Sequence, residues 1–297
     1  MKRTILLSTS ILLYLSACGS PQSAPTARPT PIHTLVPTST QTTTPMATHT
    51  PEPTMTPWPI PSNVTFCLDK VESGSDKLVI QEAIRKAHQY FVQQLGVEPM
   101  PVILFAGPDV NKFAGDGECA DNPQLQRARR DSKDDWVDTG GYALFGLLVI
   151  NTNFSGWMED REFRKFNIAH EYVHELQMSL LGRGINGTDA GPTWLVEGSA
   201  EVIAYSSQGL EPNNPRIYWV QNRYKIPASV KLGDEGNNFN ELSSLAVSYL
   251  ITIAPDRMRS LVTYFAANPT ADTWQSAFEK AFGLSPEEFN DKFEAFR

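Results

Sequence analysis

The chain has few cysteines and lacks an apolar run long enough to span a membrane. Only three of its 297 residues are Cys, and no two of them form a C-x-x-C pair. The apolar run near the N-terminus extends only from Ile5 to Leu15, whereas a transmembrane helix needs about 20 residues. The first absence argues against zinc ligation by cysteines, and the second argues against a helical membrane anchor.

Basic residues are also scarce. The chain has 25 Lys and Arg against 33 Asp and Glu, a net charge of -8. Three of the basic residues and only one acidic residue precede position 63, so the remainder is more negative still. Nucleic-acid binding needs a basic surface, and no polybasic patch for anionic lipid is present. We therefore expect no nucleic-acid partner.

The N-terminus is typical of an export signal. Lys2 and Arg3 precede the short apolar run, which ends in Leu15-Ser16-Ala17-Cys18. This ending resembles the lipobox of bacterial lipoproteins, in which cleavage leaves an N-terminal cysteine that carries lipid. The resemblance implies a protein anchored on the outer face of a bacterial cell membrane through lipid on Cys18 alone. An ordinary secretory signal with an incidental cysteine is the alternative.

Three segments follow from composition. Residues 1–18 are the signal peptide, and residues 19–62 are a tether in which Thr and Pro fill more than half of the positions. Such a segment buries too little apolar surface to fold.

Residues 63–297 form the folded domain, where Cys67 and Cys119 remain. An exported domain is disulfide-permissive, so this pair predicts one structural bridge; two separate buried thiols are the alternative.

The pattern of the folded part predicts an α+β domain. We expect a small mixed sheet, with an edge strand over the helix that carries the main motif, and a mostly helical C-terminal lobe. The predicted strands are 101–106 and 142–151, and the predicted helices are 77–95, 161–181, 193–205 and four near 239–254, 256–267, 270–282 and 286–296.

The central motif is H-E-x-x-H, formed by His170, Glu171 and His174. On a helix, residues four apart lie on one face, so both imidazoles can bind one metal ion. Glu171 projects near the same site and can accept a proton from a metal-activated water. A helix with two surface histidines and no metal is the alternative. The apolar stripe that predicts this helix consists of Ile168, Ala169, Tyr172, Val173, Leu176 and Leu180.

A catalytic zinc site needs a third protein ligand, and Glu197 is the best candidate. It lies on a separate predicted helix within Trp194-Leu195-Val196-Glu197-Gly198-Ser199-Ala200. Asp189 is the competing candidate. The longer form H-E-x-x-H-x-x-G-x-x-H is excluded, because Gln177 and Leu180 occupy its Gly and His positions.

The two motifs together resemble the gluzincin metallopeptidases, and among them the peptidase MA-like domains. The resemblance implies one zinc ion per chain, with His170, His174 and Glu197 as ligands and Glu171 as general base. Thermolysin-like gluzincins also have an acidic residue four positions after the Glu ligand. By that resemblance Glu201 would accept the free ring N–H of a zinc-bound histidine.

Peptidases of this clan usually add a Tyr or His that stabilises the oxyanion. Tyr249 is the candidate here, and Tyr205, Tyr218 and Tyr224 are alternatives. The sequence thus predicts a surface-anchored zinc metallopeptidase that hydrolyses a peptide or protein substrate through zinc-activated water. A zinc-holding binding module with little or no turnover is the alternative, because a fold alone does not separate the two.

Overall fold

A computed structural model describes residues 59–108, 119, 121–126, 140–154, 157, 161–185, 190–210, 231–232, 240–268 and 273–297. All of them lie in the second of the two units into which the chain divides, Met55–Arg297. Cys18, Asp189, Tyr218, Tyr224 and nearly all of the predicted tether fall outside the described residues. None of the described helices is long and apolar enough to cross a membrane.

Four strands form one mixed sheet within the described residues, in the order β1-β2-β4-β3. Strands β1 (Val64–Cys67), β2 (Val102–Gly107) and β4 (Leu147–Asn151) are parallel, and β3 (Gly141–Leu144) pairs antiparallel with β4. This arrangement confirms the α+β class and the small mixed sheet. The sequence prediction missed β1.

The prediction of one strand over residues 142–151 is wrong, because this segment is a hairpin. Leu144 pairs with Leu147, and Phe145 and Gly146 form the turn between β3 and β4. Gly146 has φ 80, a conformation that glycine adopts at little steric cost. Strand β4 is buried at every position. An inner strand covered on both faces shows no polar alternation, so the sequence pattern did not separate it from β3.

Successive residues of β4 pack on opposite faces of the sheet. Leu148 and Ile150 belong to the main core, which contains the helices. Leu147 and Val149 belong to a smaller cluster on the other face, together with Cys67. A disulfide joins Cys67 to Cys119 across a Cα–Cα distance of 5.9 Å, so it ties the end of β1 to the segment that covers this outer face.

The helices agree with the predicted ones within a few residues at most ends. Helix α1 begins three residues before the predicted start, because the Ser73 side chain caps it by accepting from the Asp76 N–H. Helix α7 begins with a capping box formed by Ser285 and Glu288. The described helices are α1 (Gly74–Tyr90, continued by a π-helical turn over Phe91–Leu95), α2 (Arg161–Leu181), α3 (Thr193–Gln208), α4 (Asn240–Ile253), α5 (Arg259–Ala267), α6 (Trp274–Phe282) and α7 (Pro286–Phe296).

Helix α2, which carries the H-E-x-x-H motif, packs against α1, α3, α5, β3 and β4, and α3 packs against α4. The apolar stripe of α2 is buried at its central positions Ile168, Ala169, Tyr172, Val173 and Leu176. These contacts fix α2 between the sheet and α3, and the C-terminal part is mostly helical, as predicted.

Candidate metal centre

His170, His174 and Glu197 converge on one point between α2 and α3. The two histidine Nε2 atoms lie 3.2 Å apart. Glu197 Oε2 lies 3.3 Å from His170 Nε2 and 3.5 Å from His174 Nε2. Tetrahedral zinc with bonds of about 2.0–2.1 Å places its ligand atoms about 3.3 Å apart. The spacing of the three groups therefore fits a single zinc ion, and no other group of three metal-binding side chains occurs in the described part of the chain.

The electrostatics of the cluster favour a cation between these side chains. Burial alone would raise the pKa of Glu197, but its hydrogen bonds with His170 and His174 outweigh burial and hold the pKa far below its ordinary value. Burial alone would lower the pKa of His174, yet Glu197 and the nearby Glu171 raise it to about 9. A metal ion that binds His174 would have to displace this proton from the ring.

Glu171 lies beside the cluster and beneath the edge strand. A Cβ placed on Gly141, the first residue of β3, would lie 3.1 Å from Glu171 Cγ and 2.8 Å from the Val149 carbonyl oxygen. A side chain at this position would clash with the backbone of β4 and would crowd Glu171, so glycine lets β3 lie close to both. Burial raises the pKa of Glu171; His170 and His174 oppose this shift, and Glu197 adds to it. The carboxylate is therefore a better proton acceptor than an exposed glutamate.

Glu175 connects the same helix to the tip of the hairpin. This side chain is fully buried, and its Oε2 accepts from the Gly146 N–H at 2.9 Å. Burial raises the pKa of Glu175 to about 8, although the backbone N–H groups of Gly146 and Leu147 lower it. The sequence prediction missed Glu175. The hairpin and the motif helix are thus joined by a contact one residue after the second histidine.

Among the described contacts, Glu201 hydrogen-bonds α4 and not the two imidazole rings. Glu201 is buried and accepts a hydrogen bond from the Ser244 hydroxyl on α4. His174 Nδ1 instead contacts Gln177 Oε1 at 2.7 Å, and His170 Nδ1 has no hydrogen-bond partner among the described residues. The predicted contact from Glu201 to a ring N–H is therefore not formed. Glu201 shares a helix with Glu197, but its hydrogen bond is with Ser244 of the neighbouring α4.

Tyr249 lies in the aromatic cluster of the C-terminal helices. Its ring centroid is 4.4 Å from that of Phe296, 6.1 Å from Phe293 and 6.2 Å from Phe289. Tyr249 is thus partly buried against α7, and its oxyanion role stays a prediction. The alternative Tyr205 stacks on Phe166, with centroids 4.2 Å apart.

Fold and site together define a class: an α+β protein with a candidate metal centre for one ion, built from an H-E-x-x-H helix and a glutamate on the next helix. The collagenase family model matches residues 152–296. The match begins directly after β4 and includes all three candidate ligands and Glu171. It supports a zinc metallopeptidase, and such a family implies zinc as the ion. Neither the curated proteins nor the solved structures contain a match to the chain.

Proposed function

We propose that this protein is a gluzincin-type zinc metallopeptidase that hydrolyses peptide bonds in a peptide or protein substrate. The observation that carries the proposal is the convergence of His170, His174 and Glu197 at the spacing of a tetrahedral site, with Glu171 beside them. The collagenase match over the same helices supports the reaction class. The gluzincin subtype rests on Glu197 as the third ligand.

Glu171 is the proton carrier of the proposed reaction. Zinc held by His170, His174 and Glu197 would act as a Lewis acid toward water and the substrate carbonyl. The Glu171 carboxylate accepts the proton of the attacking water and later donates it to the leaving amine. Its raised pKa favours the first step, because a more basic carboxylate accepts the proton of the water more readily.

The edge strand β3 is the proposed binding site for the substrate backbone. The Asn151 N–H donates to the Gly140 carbonyl, so by antiparallel alternation Tyr142 and Leu144 also bond β4. The main-chain groups of Gly141 and Ala143 then point away from β4. Within the described residues no strand covers this side. An extended peptide paired there lies close to Glu171, because Gly141 packs directly on that side chain.

The decisive experiment compares Glu171→Gln with the wild-type protein. The amide keeps the size of the side chain and leaves the three ligands intact, but it cannot accept the proton. We expect zinc content to stay near one equivalent while hydrolysis of gelatin and of a peptide library falls at least about 100-fold.

Glu162→Gln is the matched control, since Glu162 lies on the same helix, is exposed and pairs only with Lys165 among the described contacts. This control should retain wild-type activity. Full activity in Glu171→Gln would contradict the mechanism. A wild-type protein that holds zinc and cleaves no peptide would instead favour the binding-module alternative.

We further propose that the protein is exported and anchored by lipid on Cys18. The motif Leu15-Ser16-Ala17-Cys18 after a short apolar run supports this, and the Thr/Pro-rich tether would place the domain at a distance from the membrane. Cys18→Ser should move the protein from the membrane fraction to the soluble exported fraction. Retention of the variant in the membrane fraction would show that the anchor is not this cysteine.

A further inference from the structure

Gln177 contacts the second histidine and the helix of the third ligand at the same time. The side chain is almost completely buried, with 1% exposed. Its Oε1 lies 2.7 Å from His174 Nδ1, while its Nε2 lies 2.9 Å from the Val196 carbonyl oxygen and 2.8 Å from Ser199 Oγ. One amide therefore connects α2 to α3 directly beside Glu197.

The surroundings of the amide determine its orientation. The Val196 carbonyl oxygen can only accept, so the Gln177 amide nitrogen must face it. The Ser199 hydroxyl donates to the same carbonyl at 3.0 Å and accepts from Gln177. Both amide hydrogens are then used on α3. The amide oxygen, which accepts only, is left facing His174.

This orientation fixes the tautomer of His174. Because Gln177 Oε1 has no hydrogen to give, the hydrogen between the two side chains must be on His174 Nδ1. In the neutral ring, Nε2 then carries the lone pair, and Nε2 is the atom that faces His170 Nε2 and Glu197 Oε2. The neutral ring is thus held as the tautomer that a metal ion requires of a ligand.

We propose that Gln177 is the positioning residue of the metal centre. It holds His174 as the Nδ1–H tautomer with Nε2 directed at the ion. It also binds the Val196 carbonyl, directly before Glu197, and so fixes this part of α3 to α2. This inference rests on the proposed zinc site but not on peptide hydrolysis. The role that the sequence predicts for Glu201 falls instead to Gln177, and His170 has no such partner among the described residues.

Gln177→Met tests the proposal, since methionine matches the length of the side chain and makes none of its three hydrogen bonds. In the full chain, stripped by a chelator and titrated with zinc chloride against a chromogenic competitor, we expect the Kd for zinc to rise about 10- to 100-fold. Gln177→Glu keeps an acceptor for His174 but loses both donors to α3. It should therefore retain part of the affinity.

Gln208→Met is the matched control. Gln208 is also buried, and its Nε2 joins α3 to α1 by donating to the Ala83 carbonyl at 3.0 Å, away from the ligands. This variant loses a comparable link between helices, so it should be destabilised while its Kd for zinc stays within about twofold of wild type. Equal losses of zinc affinity in Gln177→Met and Gln208→Met would reduce Gln177 to a packing role and overturn the proposal.

A measurement on the wild-type protein does not depend on the folding of any variant. In the zinc-loaded chain, long-range ¹⁵N–¹H NMR should show a slowly exchanging hydrogen on His174 Nδ1 and zinc on Nε2. Zinc on Nδ1 would overturn the positioning role. A wild-type chain that binds no zinc would remove the proposed function as well, whereas tight binding by both wild type and Gln177→Met would overturn this inference alone.

Discussion

Gly198 lets the helix that carries Glu197 approach α4 closely. A Cβ at this position would collide with the Ser243 carbonyl oxygen and would lie 2.8 Å from Val247 Cγ2. Backbone atoms cannot move aside as a flexible side chain can, so any other residue would push the two helices apart. The glycine beside this candidate ligand is therefore required by packing, and the position of Glu197 depends on it.

We expect Gly198→Ala to destabilise the protein by about 1–3 kcal/mol. Zinc should also bind more weakly, because a displaced α3 moves Glu197 away from the two histidines. Urea denaturation and zinc titration would measure both effects. Gly74→Ala is the control, since a Cβ there meets no atom within 4 Å and alanine favours the start of α1. Gly198→Ala as stable as Gly74→Ala would contradict the packing argument.

At the scale of the elements, a buried histidine links α1 to the motif helix. His88 Nδ1 lies 3.1 Å from the Tyr172 hydroxyl, and His88 Nε2 lies 3.3 Å from Glu98 Oε1. His88 is 5% exposed, and Tyr172 is fully buried. Burial lowers the pKa of His88, although the Glu98 carboxylate opposes the shift. Burial thus favours the neutral imidazole.

This shift predicts a loss of stability in acid. The unfolded chain binds a proton to His88 near pH 6.5, whereas the folded chain binds it only at lower pH. The contribution of the neutral His88 to the free energy of unfolding is therefore complete above about pH 6.5. It is lost as the pH falls through the pKa of His88 in the folded state. The Tm of wild type should fall more steeply than that of His88→Gln from about pH 7 to 5. Parallel Tm curves for the two proteins would contradict the assigned shift.

At the scale of the whole molecule, the candidate metal centre joins two helices that pack on different parts of the fold. Two of its ligands lie on α2, which packs on the sheet, and the third lies on α3, which packs on α4. Any ion bound by all three side chains binds the folded state only, because the unfolded chain does not bring them together. Binding free energy then adds to folding stability.

Removal of zinc should accordingly lower the Tm of the wild-type protein, and added zinc should restore it. At a free zinc concentration about a thousand times the Kd, the stabilisation is about 4 kcal/mol. Glu197→Ala is the comparison, since it removes one ligand and should respond to zinc much less. Scanning calorimetry with and without a chelator would measure the difference. An identical Tm for wild type in both conditions would mean that the three side chains bind no ion in the folded state.

The sequence alone determined the features that depend on local spacing. A helix returns to the same face after four residues, so His170 and His174 lie together wherever the helix packs. The buried stripe of α2 follows from an equally local pattern. Position on a separate helix made Glu197 the best candidate for the third ligand, but only the resemblance of its motif to that of zinc peptidases made this choice specific, since spacing left Asp189 open.

Only the tertiary structure decided which side chains support the centre. Glu201 and Gln177 were both within reach of the site by spacing, but Ser244 of α4 binds Glu201, and Val196 of α3 orients Gln177. The hairpin turn at Gly146 could not be recognised within the apolar run, because the inner strand β4 is buried on both faces and shows no polar alternation. In each case the outcome depends on a neighbouring element, and a local pattern does not contain the identity of that neighbour.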